Sequence, residues 1–127
     1  MTPLQTTLTD AFDRVLARLP DALKAEGFGV LTTIDMKETL QKKLGVDFRR
    51  YTILGACNPT LAHQALTTSL EVGTLLPCNV IVYEEGTGTV VRAVDPLTSV
   101  GALADPRFKE VAALVRGKLE RVIASLG

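Results

Sequence analysis

The chain has 127 residues, 46% of them apolar, and its 14 basic and 14 acidic side chains leave no formal net charge. That length suits one domain that buries its core without staples, and with four Phe, two Tyr and no Trp the core must be aliphatic. Neutrality argues against a nucleic-acid partner, whose phosphates call for a basic excess. No window approaches the ~20 apolar residues that span a bilayer, so no membrane partner is expected. The opening MTPLQTTLTD carries no secretory pattern. The expected compartment is the cytoplasm, where thiols stay reduced.

Thr9 is expected to cap a helix with Phe12, Val15, Leu16 and Leu19 on one face. Pro20 interrupts it, and a second short helix over 21–26 follows with a kink, stopped by Gly27. FGVLTTI, residues 28–34, reads as a strand. Asp35 and Glu38 then make a capping box with Asp in the place of Ser or Thr. Met36, Leu40 and Leu44 mark that helix, and Gly45 ends it. The one local basic cluster, Lys37, Lys42, Lys43, Arg49 and Arg50, surrounds the helix end and the next strand start. Cations there complement the negative end of the helix dipole.

YTILGAC, residues 51–57, is the second strand. Asn58 caps a helix and Pro59 takes its first position, with Leu61, Ala62, Ala65 and Leu66 as the buried stripe. CNVIVYEE and TVVRAVD form a hairpin over EGTG, where Gly86 and Gly88 are expected to supply positive φ. Pro96 ends the second of these strands. Asp105 and Pro106 open a last helix with the stripe Phe108, Val111, Ala112, Val115, Leu119, Val122, Ile123 and Leu126. This order predicts an α+β fold: a four-stranded, mostly antiparallel sheet with helices packed on one face, as a single domain over residues 1–127.

The two cysteines stand in similar settings, ACNP at 56–59 and PCNV at 77–80. Cys57 ends a strand and Cys78 begins one. Were these strands antiparallel neighbours, both thiols would meet at one rim of the sheet. Cys57 also precedes a helix N-terminus, whose dipole favours thiolate. Asn58 and Asn79 offer amide groups, and His63, the only histidine, lies about a turn into the helix. The plainer readings are that free Cys packs as a small hydrophobe, that Asn58 is a cap, and that His63 is an exposed helix residue. Cys57 and Cys78 are the metal-ligand candidates, but their spacing, with or without His63, matches no established zinc motif. No carboxylates are spaced for acid–base work. Whether the protein is an enzyme, and which cofactor it takes, stay unknown at this level.

The segments GFGVLTTID, LGACNPTLAHQAL and GTLLPCNVIVYEEGTGTVVRAVDP together resemble the domain of unknown function 302 family, from about Thr7 to about Pro96, with the terminal helix 105–126 as an addition. Both cysteines fall on its pattern: Cys57 with Asn58 and Pro59, and Cys78 with Leu76, Pro77 and Asn79. The resemblance implies a fold of the TATA-binding-protein-like class assembled as a homodimer, and implies no activity. Fold alone warrants no DNA binding. Two functions compete. One is a ligand, soft-metal or thiol site formed by Cys57, Asn58, Cys78, Asn79 and His63. The other is a non-enzymatic homodimeric interaction or structural module whose thiols pack the core.

Overall fold

The structure, a computed structural model, describes residues 3–100 and 106–127. Its strands are β1 (Gln5–Leu8), β2 (Gly29–Asp35), β3 (Tyr51–Cys57), β4 (Cys78–Glu85) and β5 (Gly88–Ala93). The helices are α1 (Phe12–Ala25), α2 (Met36–Leu44), α3 (Pro59–Thr68), α4 (Pro96–Val100) and α5 (Arg107–Ser125), with a 3₁₀ segment at Leu70–Leu75. The fold is α+β, and the sheet is antiparallel throughout in the order β1-β5-β4-β3-β2.

The sheet has five strands where the sequence predicts four. The extra one, β1, is only four residues long and exposes Gln5 and Thr7, so its alternation is nearly invisible. Pairing with β5 makes it a strand, and Leu4 and Leu8 turn inward to the core. With residues 5–8 in the sheet, Thr9 no longer caps anything: α1 starts from Ala11 without a side-chain cap. Nor does Pro20 break α1, which runs unbroken to Ala25. Phe12, Val15, Leu19 and Leu23 lie buried on both sides of it. Four such burials, at about 1.5–3 kcal/mol each, outweigh the ~3 kcal/mol that an interior proline costs.

Other expectations hold locally. The Asp35 carboxylate accepts from the Glu38 amide at 3.0 Å, and Gly45 closes α2 at φ 67°. At the β4–β5 hairpin only Gly86 has positive φ, at 60°. Gly88 is needed for a different reason: a Cβ there would lie 3.0 Å from the Leu8 carbonyl of the adjoining β1. Asp105, expected to open the last helix, lies outside the described residues, whereas Pro106 does precede α5.

Register fixes the two faces of the sheet. Leu54, Ala56, Val80, Val82 and Val91 point to one side and pack on Val15, Leu19 and Leu23 of α1 and on Leu119 and Val122 of α5. A second, smaller cluster joins Ala65 of α3, Val72 of the 3₁₀ segment and Phe108 of α5. Val111 packs against both clusters. The other side of the sheet carries the pairs Tyr51–Tyr83 and Ile53–Ile81, with Ile34 across from Ile53. None of these belongs to either cluster. Among the described residues no helix is long and apolar enough to cross a membrane.

Candidate functional site

β3 and β4 are antiparallel neighbours, and the register pairs Ala56 with Cys78. Cys57 is therefore one step past the partner of Cys78, at the same rim of the sheet. Alternation alone would aim the two side chains at opposite faces. β3 ends at Cys57, however, where the chain turns into α3, and both thiols border one cavity. Both are free.

Local sequence explains how each thiol is held. Asn58 Oδ1 accepts from the Leu61 amide at 3.2 Å and caps α3, while its Nδ2 donates to the Glu26 carbonyl at 3.4 Å. One side chain thus fastens the start of α3 to the end of α1. Gly27, at φ 86°, lets the chain turn there, and a Cβ on it would lie 3.0 Å from Asn58 Nδ2. On the other strand, Pro77, which follows a cis peptide bond, lies over Gly55. A Cβ at Gly55 would come within 2.7 Å of the Pro77 ring and 2.3 Å of Thr32 Oγ1. The glycine of LGACN is thus the seat for the proline of LPCN, which sets the entry into β4.

The cavity has a volume of about 50 Å³ and lies in the seam between the two apolar clusters. Ala56 and Leu61 of the larger cluster and Val72 and Phe108 of the smaller one contribute to its wall. Ala62 and Ala65 of α3 and Ala112 of α5 are short side chains in that wall, so the space between the helices is left unfilled. Among the described residues, no charged side chain lines it. Loss of water at Cys78, and secondarily the nearby Cys57, push the Cys78 thiol up to about 11, so it is neutral near pH 7. Ser99 of α4 also lines the cavity, but its hydroxyl donates to the Asp95 carbonyl at 3.1 Å.

Behind this wall a buried charge holds α4 in place. Arg116 of α5 is 5% exposed and approaches Asp95 at 3.7 Å and Glu120 at 3.2 Å. The Asp95 carboxylate also accepts from the Leu97 amide at 3.0 Å, at the start of α4.

Of the five residues read from sequence as a site, Cys57, Asn58 and Cys78 come together at this cavity. Asn79 does not line it: it is exposed on β4 opposite Gly55, and its carbonyl accepts from the Val94 amide at 3.0 Å. His63 is exposed on α3 and does not line it either. Among the described residues no group of three or more His, Cys, Asp or Glu side chains is placed to hold a metal ion. Sequence reading missed the contributions of Val72, Phe108 and Ala112. The available signal was alanine at inward positions of two apolar helices.

The sequence pattern of the domain of unknown function DUF302 matches residues 4–126. The chain belongs to the DUF302 family. A crystal structure of an uncharacterized conserved DUF302 protein from Bacillus stearothermophilus is similar over 97% of this chain and 96% of that one, at 35% identity and a TM-score of 0.91. No curated protein matches. The DUF302 match takes in α5, which supplies Phe108 and Ala112 to the cavity, as well as the segments holding both cysteines. In this DUF302 chain the thiols and the last helix are thus parts of one arrangement.

Proposed function

We propose that this DUF302 domain is a small-molecule binding module whose site is the cavity at the sheet rim, with Cys57, Asn58 and Cys78 in its wall. The observation that carries this reading is the unfilled seam between two apolar clusters, bordered by both free thiols. Interiors ordinarily pack without such gaps, and ligand sites are concave, mostly apolar and few per protein. Asn79 and His63 take no part. A soft metal ion is the weaker occupant, because its thiolates would have to form where charge is disfavoured. The free thiols suit a reducing compartment, so we place the protein in the cytoplasm.

The test is a fragment screen on isotopically labelled protein, preceded by elemental analysis of protein purified without chelator. Binding should perturb the amides of Ala56, Cys78, Val72 and Val111 together. Ala112→Leu, which fills the seam, should abolish that response. Stoichiometric metal in the purified protein, or no fragment of any charge acting at these amides, would defeat the reading.

A second reading concerns assembly. The uncovered sheet face presents Ile34 at 43% exposure and the stacked rings of Tyr51 and Tyr83, 5.4 Å apart. We propose that this face joins two copies into a homodimer. Nucleic acid is the poorer partner for it, because the chain has no basic excess and three of the nearby cations are already engaged. Lys37 pairs with Asp47 at 2.7 Å, Lys42 with Glu38 at 2.6 Å, and Arg50 with Asp13. An antiparallel sheet with one face left open is also what supports placing the fold in the TATA-binding-protein-like class, a placement that carries no function with it.

A further inference from the structure

We propose that the cavity takes a compact, uncharged, predominantly apolar molecule, excluding anions and cations of the same size. This assignment rests on the cavity being a binding site, and adds the chemistry of what fits. Size comes first. At about 50 Å³ the space holds roughly four water-sized bodies. A short aliphatic chain therefore fits the enclosed part, and a drug-sized ligand does not.

Charge is decided by the wall. An ion entering it would give up its hydration and need hydrogen bonds or a counter-charge in return. Among the described residues, the polar groups of the lining are largely committed elsewhere and too few to replace an ion's hydration shell. Asn58 commits its oxygen to the Leu61 amide and one of its two N–H donors to the Glu26 carbonyl. The Ser99 hydroxyl is engaged with the Asp95 carbonyl. Arg116 lies outside the lining and faces Asp95 and Glu120. Among the described residues, what remains toward the space is mostly hydrocarbon and two thiols, which are weak donors and acceptors. A thiol is also soft and polarisable, and makes favourable contact with apolar atoms.

The position between the two clusters says what such a ligand would do. Leu61 belongs to one cluster and Val72 and Phe108 to the other. A chain lying between them joins both into one continuous interior and replaces dispersion contacts that the gap forgoes. Binding should therefore raise thermal stability, by mass action on the folded state.

The experiment titrates the labelled, full-length protein with three probes of equal length: 1-butanol, butyrate and butylammonium, at fixed pH and ionic strength. 1-Butanol should saturate the amide shifts at Cys78, Val72 and Ala112 and raise the melting temperature. The two ions should act at least about tenfold more weakly at these amides. NOEs from the butanol methyl to the methyl groups of Leu61 and Val72 in the wild type locate the probe without recourse to a variant. Ala112→Leu should remove them. Equal or tighter binding of butyrate or butylammonium at the same amides would overturn the ligand class while leaving the binding site intact. If none of the three binds but the fragment screen finds cavity ligands, the class is again wrong; if the screen too is silent, the site itself is wrong.

Discussion

The thiol of Cys78 sits where water is scarce, and its chemistry follows from that. Its folded value is about 11 against an ordinary 9.0, through desolvation first and the neighbouring Cys57 second. The protonated form is thus favoured in the folded state. Stability linked to it is complete below pH 9 and is lost as pH rises from 9 toward 11. Wild type should therefore lose on the order of 2 kcal/mol across that window relative to Cys78→Ala, as measured by urea unfolding at a series of pH values. Equal pH dependence of the two proteins would show that Cys78 does not carry the effect. Alkylation of Cys78 in a Cys57→Ser background should also accelerate about tenfold per pH unit between 8 and 10, because thiolate is the reacting form. A rate that levels off just above pH 9 would mean an ordinary thiol. The sequence made both cysteines visible as candidates. Their different fates were not legible, because the protonation of Cys78 depends on helices that meet over it from elsewhere in the chain.

Short elements here are held by single side chains that close against glycines. Gly55 is the sharpest case, since the Pro77 ring and Thr32 Oγ1 occupy the space a Cβ would take. Gly55→Ala should cost about 1–3 kcal/mol and disturb the amides of β4 near Cys78, read by denaturant unfolding and by amide shifts. A neutral result would mean that Pro77 moves freely, and that the LPCN entry to β4 is not seated on β3. Asn58 works at the junction of α1 and α3. Asn58→Ala should cost about 1 kcal/mol for the lost cap and more for the broken bond to Glu26. Asn58→Asp should recover only the cap, since a carboxylate accepts from Leu61 but cannot donate to the Glu26 carbonyl. If Asp restores full stability, the link to α1 contributes nothing. The caps at Asp35 and Asn58 were readable because their signals are local. β1 was not, because four residues with polar outward positions become a strand only when β5 is beside them. α1 misled for the opposite reason: a strong local signal, Pro20, yields to the burial of a whole face.

At the scale of the whole molecule the sheet separates two environments. One side is closed by α1 and α5, and the space left among the helices is the cavity. That seam was legible only as alanines at inward positions; its existence depends on how α3 and α5 meet. The other side is open, and its apolar residues need a partner or must bear water. From strand spacing and rise the face measures roughly 24 by 20 Å. Leu44, Val46 and Phe48, exposed at 70%, 43% and 39%, lie on the chain that runs through α2 into β3. Phe48, whose ring centroid lies 6.1 Å from that of Tyr51, extends apolar surface toward the ~800 Å² per partner that a stable interface buries. An interface built by two copies is self-complementary about a two-fold axis, so one charge placed at its centre is introduced twice and opposes itself. Ile53 occupies that centre, with Ile34 on one side and Ile81 on the other. In sedimentation at micromolar concentration the wild type should run at twice the 13.6 kDa chain mass, and Ile53→Lys should run at the chain mass with an unchanged circular dichroism spectrum. A monomeric wild type would remove the dimer, and a folded Ile53→Lys that still dimerises would place the interface on another surface. Either way the cavity on the helical side should bind 1-butanol as before, because Ile53 faces away from it.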